Sequence, residues 1–138
     1  MIVTGLSEQP LDVATLVAKI RSDDCGGLVV FEGTTRSPSD GRIILRLEYE
    51  AWEDRAETQL RALAEEAMQR FGARGVLAVH RTGVVPIGET SVVVACATPH
   101  RGEAFEATRW LIDTLKGTVA VWKKEVFEDG EAWTNADV

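Results

Sequence analysis

Segments with strand periodicity alternate with amphipathic segments along this chain, and their order restricts the fold more than any other feature. The order is β-α-β-β-α-β-β-α-β, and several consecutive strands are close enough in sequence to pair as hairpins. This order predicts an α+β fold with a mainly antiparallel sheet and three main helices. No repeat, low-complexity tract or linker interrupts the 138 residues, so a single domain over residues 1–138 is expected.

Three segments have apolar residues at helical spacing. Helices are predicted over Leu11–Ile20, over Glu53–Phe71 and from Thr98 to Gly117. The second is expected to end at Gly72, because glycine readily adopts the left-handed conformation that terminates helices. At the third, Thr98 is expected to be the N-cap and Pro99 the first helical residue.

The remaining apolar segments are short and are predicted as strands. They are Ile2–Leu6, Gly27–Thr35, Ile43–Ala51, Gly75–Arg81, Thr90–Thr98 and Val119–Phe127. In the strand Ile43–Ala51, positions 43, 45, 47 and 49 are apolar, and the alternating positions 44, 46, 48 and 50 are polar except for Ile44. This alternation predicts that one face of the strand contacts solvent. Residues 128–138 are expected to form a polar tail, in which Trp133 either covers the core or belongs to a partner-binding surface.

The charge balance excludes several classes of partner. Fifteen basic and twenty-two acidic residues give a formal net charge of −7. Such a chain is poorly suited to bind the phosphates of nucleic acid or an anionic membrane surface. No stretch approaches the roughly 20 apolar residues of a membrane span, and residues 1–10 lack a signal-peptide pattern, so a cytoplasmic protein is expected.

Sequence motifs for a metal or a cofactor are missing. His80 and His100 are the two histidines, and no cysteine or carboxylate spacing completes a metal site around them. Dinucleotide-binding, phosphate-loop and nucleophile-elbow patterns are also missing, so neither a metal nor a cofactor is expected. Cys96 lies in an apolar run and is expected to be buried, whereas Cys25 is either inert or a reactive thiol.

Basic residues occupy both ends of the third predicted helix. His100 and Arg101 lie in its first turn, where positive side chains are unfavourable for the helix dipole unless an anion such as phosphate binds. The alternative is a solvated turn whose charges happen to be basic. Lys116 lies in the last turn, where it either complements the dipole or belongs to a site.

Further basic residues lie on strands. Lys123 and Lys124 are neighbours in the last strand, so their side chains project to opposite faces, and alternation alone does not decide the face of Lys123. Arg36 follows the strand Gly27–Thr35, at the start of a loop. A basic residue in that position is typical of ligand binding, and equally of an ordinary surface.

Several short motifs follow one another between about residues 26 and 127. They are Phe31–Arg36 (F-x-G-x-x-R), Leu47–Ala51, His80–Gly83 (H-R-x-G), His100–Ala107 (H-R-x-x-x-F-E-A), Ile112–Lys116 and Val121–Glu125. Each motif is weak alone. In this order and spacing, however, they resemble the family of large, catalytic subunits of molybdopterin synthases.

The resemblance implies a reaction, a fold and partners. Members of the family are sulfurtransferases of molybdenum cofactor biosynthesis, which add two sulfurs to cyclic pyranopterin monophosphate and so form molybdopterin. The sulfur comes from the thiocarboxylated C-terminal glycine of a small ubiquitin-like subunit, and no metal takes part. The family has an α/β hammerhead-like fold and forms a homodimer, with one small subunit at each end of a heterotetramer.

The resemblance also implies a set of site residues. Lys116 and Lys123 correspond to the catalytic residues of the family. The substrate-binding positions are Arg36, His100, Arg101, Lys124, Thr34 and Thr35, the two threonines through their backbone. The part played by the loop Ser37–Gly41 stays open, because this loop varies in the family.

Helix length adds a constraint on this site. His100 and Lys116 are 16 residues apart in sequence, which corresponds to about 24 Å along a continuous helix. One small pterin phosphate cannot contact both, so a shared pocket requires Lys116 and Lys123 of one subunit and His100 and Arg101 of another. The competing hypothesis is a non-catalytic dimer that binds a phosphorylated metabolite and regulates a partner.

Overall fold

The computed structural model describes residues 1–39 and 41–135, in which three helices pack against two four-stranded sheets. The helices are α1 (Val13–Ala18), α2 (Glu53–Phe71) and α3 (Arg101–Thr118), and the strands are β1 (Ile2–Ser7), β2 (Gly27–Thr34), β3 (Ile44–Ala51), β4 (Gly75–Arg81), β5 (Gly83–Pro86), β6 (Thr90–Thr98), β7 (Val121–Phe127) and β8 (Gly130–Asn135). The predicted α+β class with three helices is confirmed. The strands, however, form two sheets rather than one.

The first sheet has the strand order β1-β4-β6-β2, and β1 pairs with β4 in parallel whereas the other pairs are antiparallel. Its central strands β4 and β6 are buried almost throughout. The main hydrophobic core, which includes α2 and α3, covers one face, and Val17 and Ile20 belong to a smaller cluster on the other. Gly75 permits this second contact, because a Cβ there would lie 2.2 Å from the backbone oxygen of Ile20.

The second sheet has the order β5-β3-β7-β8 and is antiparallel throughout. Two of its strands lie where the sequence predicted none. Gly83 has a positive φ of 77°, which lets the chain leave the first sheet after β4 and enter the second sheet as β5, paired with β3. The predicted polar tail was wrong over residues 130–135, because these residues pair with β7 as β8.

The alternation predicted for the third strand was wrong at its beginning. Ile44 is 5% exposed, whereas Ile43 and Leu45 are about half exposed, at 51% and 50%. The cause is a register irregularity between Ile44 and Arg46 against β7, which reverses the faces of the residues before it. From Leu47 onward the predicted faces are correct, and Leu47 and Tyr49 are buried.

The N-cap predicted for the third helix was also wrong. Thr98 is the last residue of β6, paired with Gly27, and its hydroxyl donates to the carbonyl oxygen of His100 at 2.5 Å. Because strand pairing holds Thr98, the helix starts later, with His100 as the N-cap in an extended conformation and Arg101 as the first helical residue. The end of α3 at Thr118 lies one residue beyond the predicted Gly117.

Candidate functional site

The N-terminal end of α3 exposes the side chains of His100 and Arg101. The helix is held there by close contact with β2, since a Cβ on Gly27 would lie 2.9 Å from the Cα of Arg101. The amide of Gly26 also donates to the carbonyl oxygen of Pro99 at 3.1 Å. The two basic side chains therefore project from a turn whose backbone is fixed against the first sheet.

The C-terminal end of α3 contributes Lys116, which is half-buried, to a cavity of about 270 Å³. This cavity, called the Lys116 cavity below, lies where α2, α3 and the start of β7 meet. Its lining includes Trp52, Arg55, Gln59, Lys116, Ala120 and Trp122. The helix Arg101–Thr118 is continuous, so the predicted separation of about 24 Å between its two basic ends holds within one chain.

Pairing in the second sheet decides the faces of the two lysines of β7. Lys123 is the partner of Tyr49, which is 2% exposed, so both side chains project to the inner face of the sheet. Lys124 is the partner of Glu48 on the outer face. Its Nζ lies 3.6 Å from Glu48, 3.7 Å from Glu131 and 5.4 Å from the centre of the Trp133 ring.

This pairing also tests one of the two interpretations of Trp133. Trp133 is the partner of Lys124 and is 53% exposed. It therefore lies on the outer face of the second sheet, and the hypothesis that it covers the core was wrong.

The residues predicted at the end of β2 lie in different surroundings. Arg36 and Thr34 are exposed, whereas Thr35 is 2% exposed. Both backbone groups of Thr35 are used within the chain, because its amide donates to the oxygen of Glu89 at 3.0 Å and its oxygen accepts from Gly88 at 2.8 Å. This pairing leaves Thr34 and Arg36 as the groups that can reach a ligand.

One chain does not bring all the predicted residues together. Nine residue steps along β2 and Thr35 separate Gly27, next to Arg101, from Arg36, a distance of about 30 Å at the rise of an extended strand. Because Thr108 of α3 donates to the oxygen of Val29 at 3.3 Å, α3 follows β2 in the same direction. Arg36 and Lys116 are thus at the far ends of their elements, away from His100.

A buried histidine, His80, connects the two sheets. His80 is 1% exposed, its ring lies 4.8 Å from that of Tyr49, and its Nδ1 is 2.6 Å from the carbonyl oxygen of Arg81. Burial lowers the pKa of His80 to about 4 and raises the pKa of Tyr49.

The side chain of Arg81 donates a hydrogen bond to the Glu89 carboxylate at 2.7 Å. This bond holds the turn whose backbone pairs with Thr35.

The cysteines differ in burial but not in the direction of their pKa shifts. Burial raises the pKa of Cys96 to about 11, and this residue is buried as predicted. Burial and the neighbouring Asp24 carboxylate also raise the pKa of Cys25. A thiol with a raised pKa is less often the reactive thiolate, so the direction of this pKa shift does not favour a reactive Cys25.

The part of the chain that the structure describes has neither a candidate metal cluster nor a helix that could span a membrane. Residues 1–39 and 41–135 contain no cluster of three or more histidine, cysteine or carboxylate side chains that could hold a metal ion. Within the same ranges, none of the helices is long and apolar enough to cross a membrane.

The Lys116 cavity contains two residues that sequence reasoning missed, Trp52 and Arg55. Trp52 precedes α2, and Arg55 lies in its first turn. Both side chains are exposed, and exposed residues of these types are common on protein surfaces. Nothing in their spacing distinguishes them, since their proximity to Lys116 arises from the packing of α2 against α3. The structure thus defines an α+β protein with clustered basic residues at both ends of one helix.

Comparison with known proteins gives the family. The model of the MoaE protein family matches residues 6–118, which include both ends of α3. This chain belongs to the MoaE protein family.

Individual relatives agree with this assignment. The chain is 44% identical over 123 residues to the molybdopterin synthase catalytic subunit of Oryza sativa subsp. indica, covering 89% of this chain and 64% of the rice protein. It is 38% identical to that of Thermoplasma volcanium, covering 91% of each chain. The crystal structure of molybdopterin synthase from Staphylococcus aureus superposes with a TM-score of 0.91 at 30% identity, over 95% of this chain and 96% of that one.

Proposed function

We propose that this protein is the catalytic subunit of a molybdopterin synthase, a sulfurtransferase that converts cyclic pyranopterin monophosphate to molybdopterin. The proposal rests mainly on one observation, the separation of the predicted basic residues into two groups by α3. It is supported by the family match and by relatives that carry this name over nearly the whole chain. The sulfur donor would be a small ubiquitin-like subunit with a thiocarboxylated C-terminus.

The first group, Arg36, Lys116 and Lys123, would surround the reacting atoms. The sulfur of the thiocarboxylate bonds to a pyranopterin carbon as a carbon–oxygen bond at that carbon breaks, and the oxygen leaves on the phosphate or as water. Water then hydrolyses the resulting thioester, which leaves the sulfur on the substrate and releases the tail as a carboxylate. Lys116 or Lys123 would stabilise the negative charge that develops in these steps or transfer a proton. Holding the tail beside the substrate would supply a further part of the rate.

The second group, His100 and Arg101, would bind the substrate phosphate. A guanidinium matches the geometry of phosphate and forms two parallel hydrogen bonds to it. Since about 24 Å separates this group from Lys116 along α3, the two groups would meet in one site only across a homodimer interface. Each dimer would then contain two shared sites.

Substituting the lysines tests the catalytic role. With thiocarboxylated partner and pyranopterin supplied, Lys116→Ala or Lys123→Ala should lower the rate of molybdopterin formation by a factor on the order of 10² to 10⁴. Lys19→Ala, an exposed lysine at the end of α1, is the matched control and should leave the rate unchanged. Full activity in both folded lysine variants would leave the regulatory dimer as the better hypothesis.

Mixing two inactive variants tests the shared site. Lys116→Ala and Arg101→Ala chains, unfolded and refolded together, should form mixed dimers in which one of the two sites carries neither substitution. Random pairing should restore roughly a quarter of the wild-type rate, because half of the dimers are mixed and each has one intact site. If the mixture is as inactive as either variant alone, the site does not span two subunits.

A further inference from the structure

The Lys116 cavity has a second cation in its wall. Arg55 lies in the first turn of α2 and Lys116 in the last turn of α3, so each of the two helices contributes one positive side chain to the same cavity. Arg36, His100 and Arg101 are not among the residues that line it. The cavity therefore has a guanidinium that the predicted site residues do not provide.

Helical spacing explains how Arg55 reaches this position. Trp52, Arg55 and Gln59 are three and four residues apart, which puts them on one face of α2. Hydrogen bonds fix this face on both sides of Arg55. The amide of Trp52 donates to the oxygen of Ala120 at 3.1 Å, and the amide of Ala120 donates to Oε1 of Gln59 at 2.8 Å.

The surroundings of Arg55 differ from those of other arginines on α2. Arg61 and Arg70 each pair with a glutamate four residues away, at 3.1 and 3.2 Å. Arg55 makes no ion pair within residues 1–39 and 41–135, and its guanidinium lies 5.4 Å from the centre of the Trp52 ring. An aromatic ring orients a guanidinium by contact with its face and leaves the N–H donors at its edge for a ligand.

We propose that Arg55 is a further substrate-binding residue, which holds an oxyanion in the Lys116 cavity together with Lys116. The inference rests on the proposed function. That reaction offers two oxyanions to this cavity, the phosphate of the pyranopterin and the carboxylate that the partner's tail becomes after sulfur transfer. Both match the planar fork of a guanidinium, and a lysine in the same position would retain the charge but lose the paired hydrogen bonds.

Steady-state kinetics with both substrates test the proposal and identify the oxyanion. Arg55→Gln should raise one KM by about 10- to 100-fold, the effect expected for losing a charge-assisted pair of hydrogen bonds, with kcat changed less than KM. Arg55→Lys should recover part of the loss. Arg61→Gln removes an arginine from the exposed face of the same helix and should leave both KM values unchanged.

The two KM values separate the sources of the anion. A rise confined to pyranopterin indicates the phosphate, whereas a rise confined to the thiocarboxylated partner, with weaker inhibition by its carboxylate form, indicates the tail. Unchanged values for both substrates in a folded Arg55→Gln variant would overturn the inference, and so would an equal effect of Arg61→Gln.

A binding measurement distinguishes failure of this inference from failure of the proposed function. Inorganic phosphate is titrated into the wild-type chain while the fluorescence of the tryptophans is followed, since Trp52 and Trp122 both line the cavity. The inference is supported if phosphate quenches the fluorescence saturably in the wild type and in Arg61→Gln but not in Arg55→Gln. This result would support it even for a chain that makes no molybdopterin. If the wild type forms no molybdopterin and phosphate changes the fluorescence of wild type and Arg55→Gln equally, the inference and the proposed function are both wrong.

Discussion

The two sheets are built from similar numbers of residues, but they differ in where they tolerate charge. In the first sheet, β4 and β6 are covered on both faces, and their only charged side chain, Arg81, is paired with Glu89. In the second sheet, β3 and β7 alternate between an inner face that packs on the core and an outer face with ion pairs. A strand buried on both faces has no position for a hydrated cation, so Lys124 lies on the open outer face of the second sheet. Lys123 projects to the inner face of that sheet, where it is half-buried.

The two sheets share one hydrophobic core, and one contact within it joins two aromatic side chains. His80 of the first sheet contacts Tyr49 of the second, and Tyr49 is also the pairing partner of Lys123. The buried junction thus connects the dense first sheet with a residue of the proposed site. Substitutions in the first sheet should change stability, whereas substitutions at the junction should also change how the protein responds to pH.

The largest effect is expected where the first sheet is most tightly covered. Gly75→Ala would place a Cβ 2.2 Å from the backbone oxygen of Ile20, so the α1 side of the sheet must move. We expect the free energy of unfolding to fall by about 3 kcal/mol or more, measured by urea denaturation.

A second glycine provides the control for this experiment. Gly102→Ala, in the first turn of α3, has no atom within 4 Å of the added Cβ, and it should stabilise the protein by up to about 1 kcal/mol. If the two substitutions change the free energy of unfolding equally, Gly75 is not in close contact with Ile20.

The next largest effect concerns pH and the junction of the sheets. The pKa of His80 is lowered to about 4 in the folded protein from an ordinary value of 6.5, because burial disfavours the charged ring. As the pH falls from 6.5 towards 4, the unfolded chain binds a proton that the folded chain does not, so stability falls. The loss from this one group reaches about 3 kcal/mol near pH 4 and does not grow further below it.

Comparison of two proteins isolates this contribution. The free energy of unfolding of the wild type and of His80→Gln is measured between pH 7 and pH 4. The difference between the two proteins should shrink or reverse over that range, since only the wild type loses the histidine contribution. Two parallel curves would mean that His80 titrates normally and that the junction admits water.

Part of the fold and of the candidate site could be predicted from local sequence patterns. The bounds of α2 were predicted correctly because apolar spacing and Gly72 are local signals, and Gly72 does adopt the left-handed conformation, with a φ of 68°. The start of α3 was not predicted correctly, because it depends on the pairing of Thr98 with Gly27, and these residues are far apart in sequence. The strand β8 was missed for a similar reason, since its polar residues pair with β7 but show no apolar alternation.

The sequence by itself determined the basic residues, the three helices and the length of α3, and this length alone separates His100 from Lys116. The tertiary structure decided which face Lys123 occupies, which backbone groups remain available beside Arg36, and that Arg55 joins Lys116 in one cavity. The physical reason is that helix length and end signals depend on nearby residues. The face of a strand residue instead depends on register, which a shift of one position reverses, and a cavity depends on how separate helices pack.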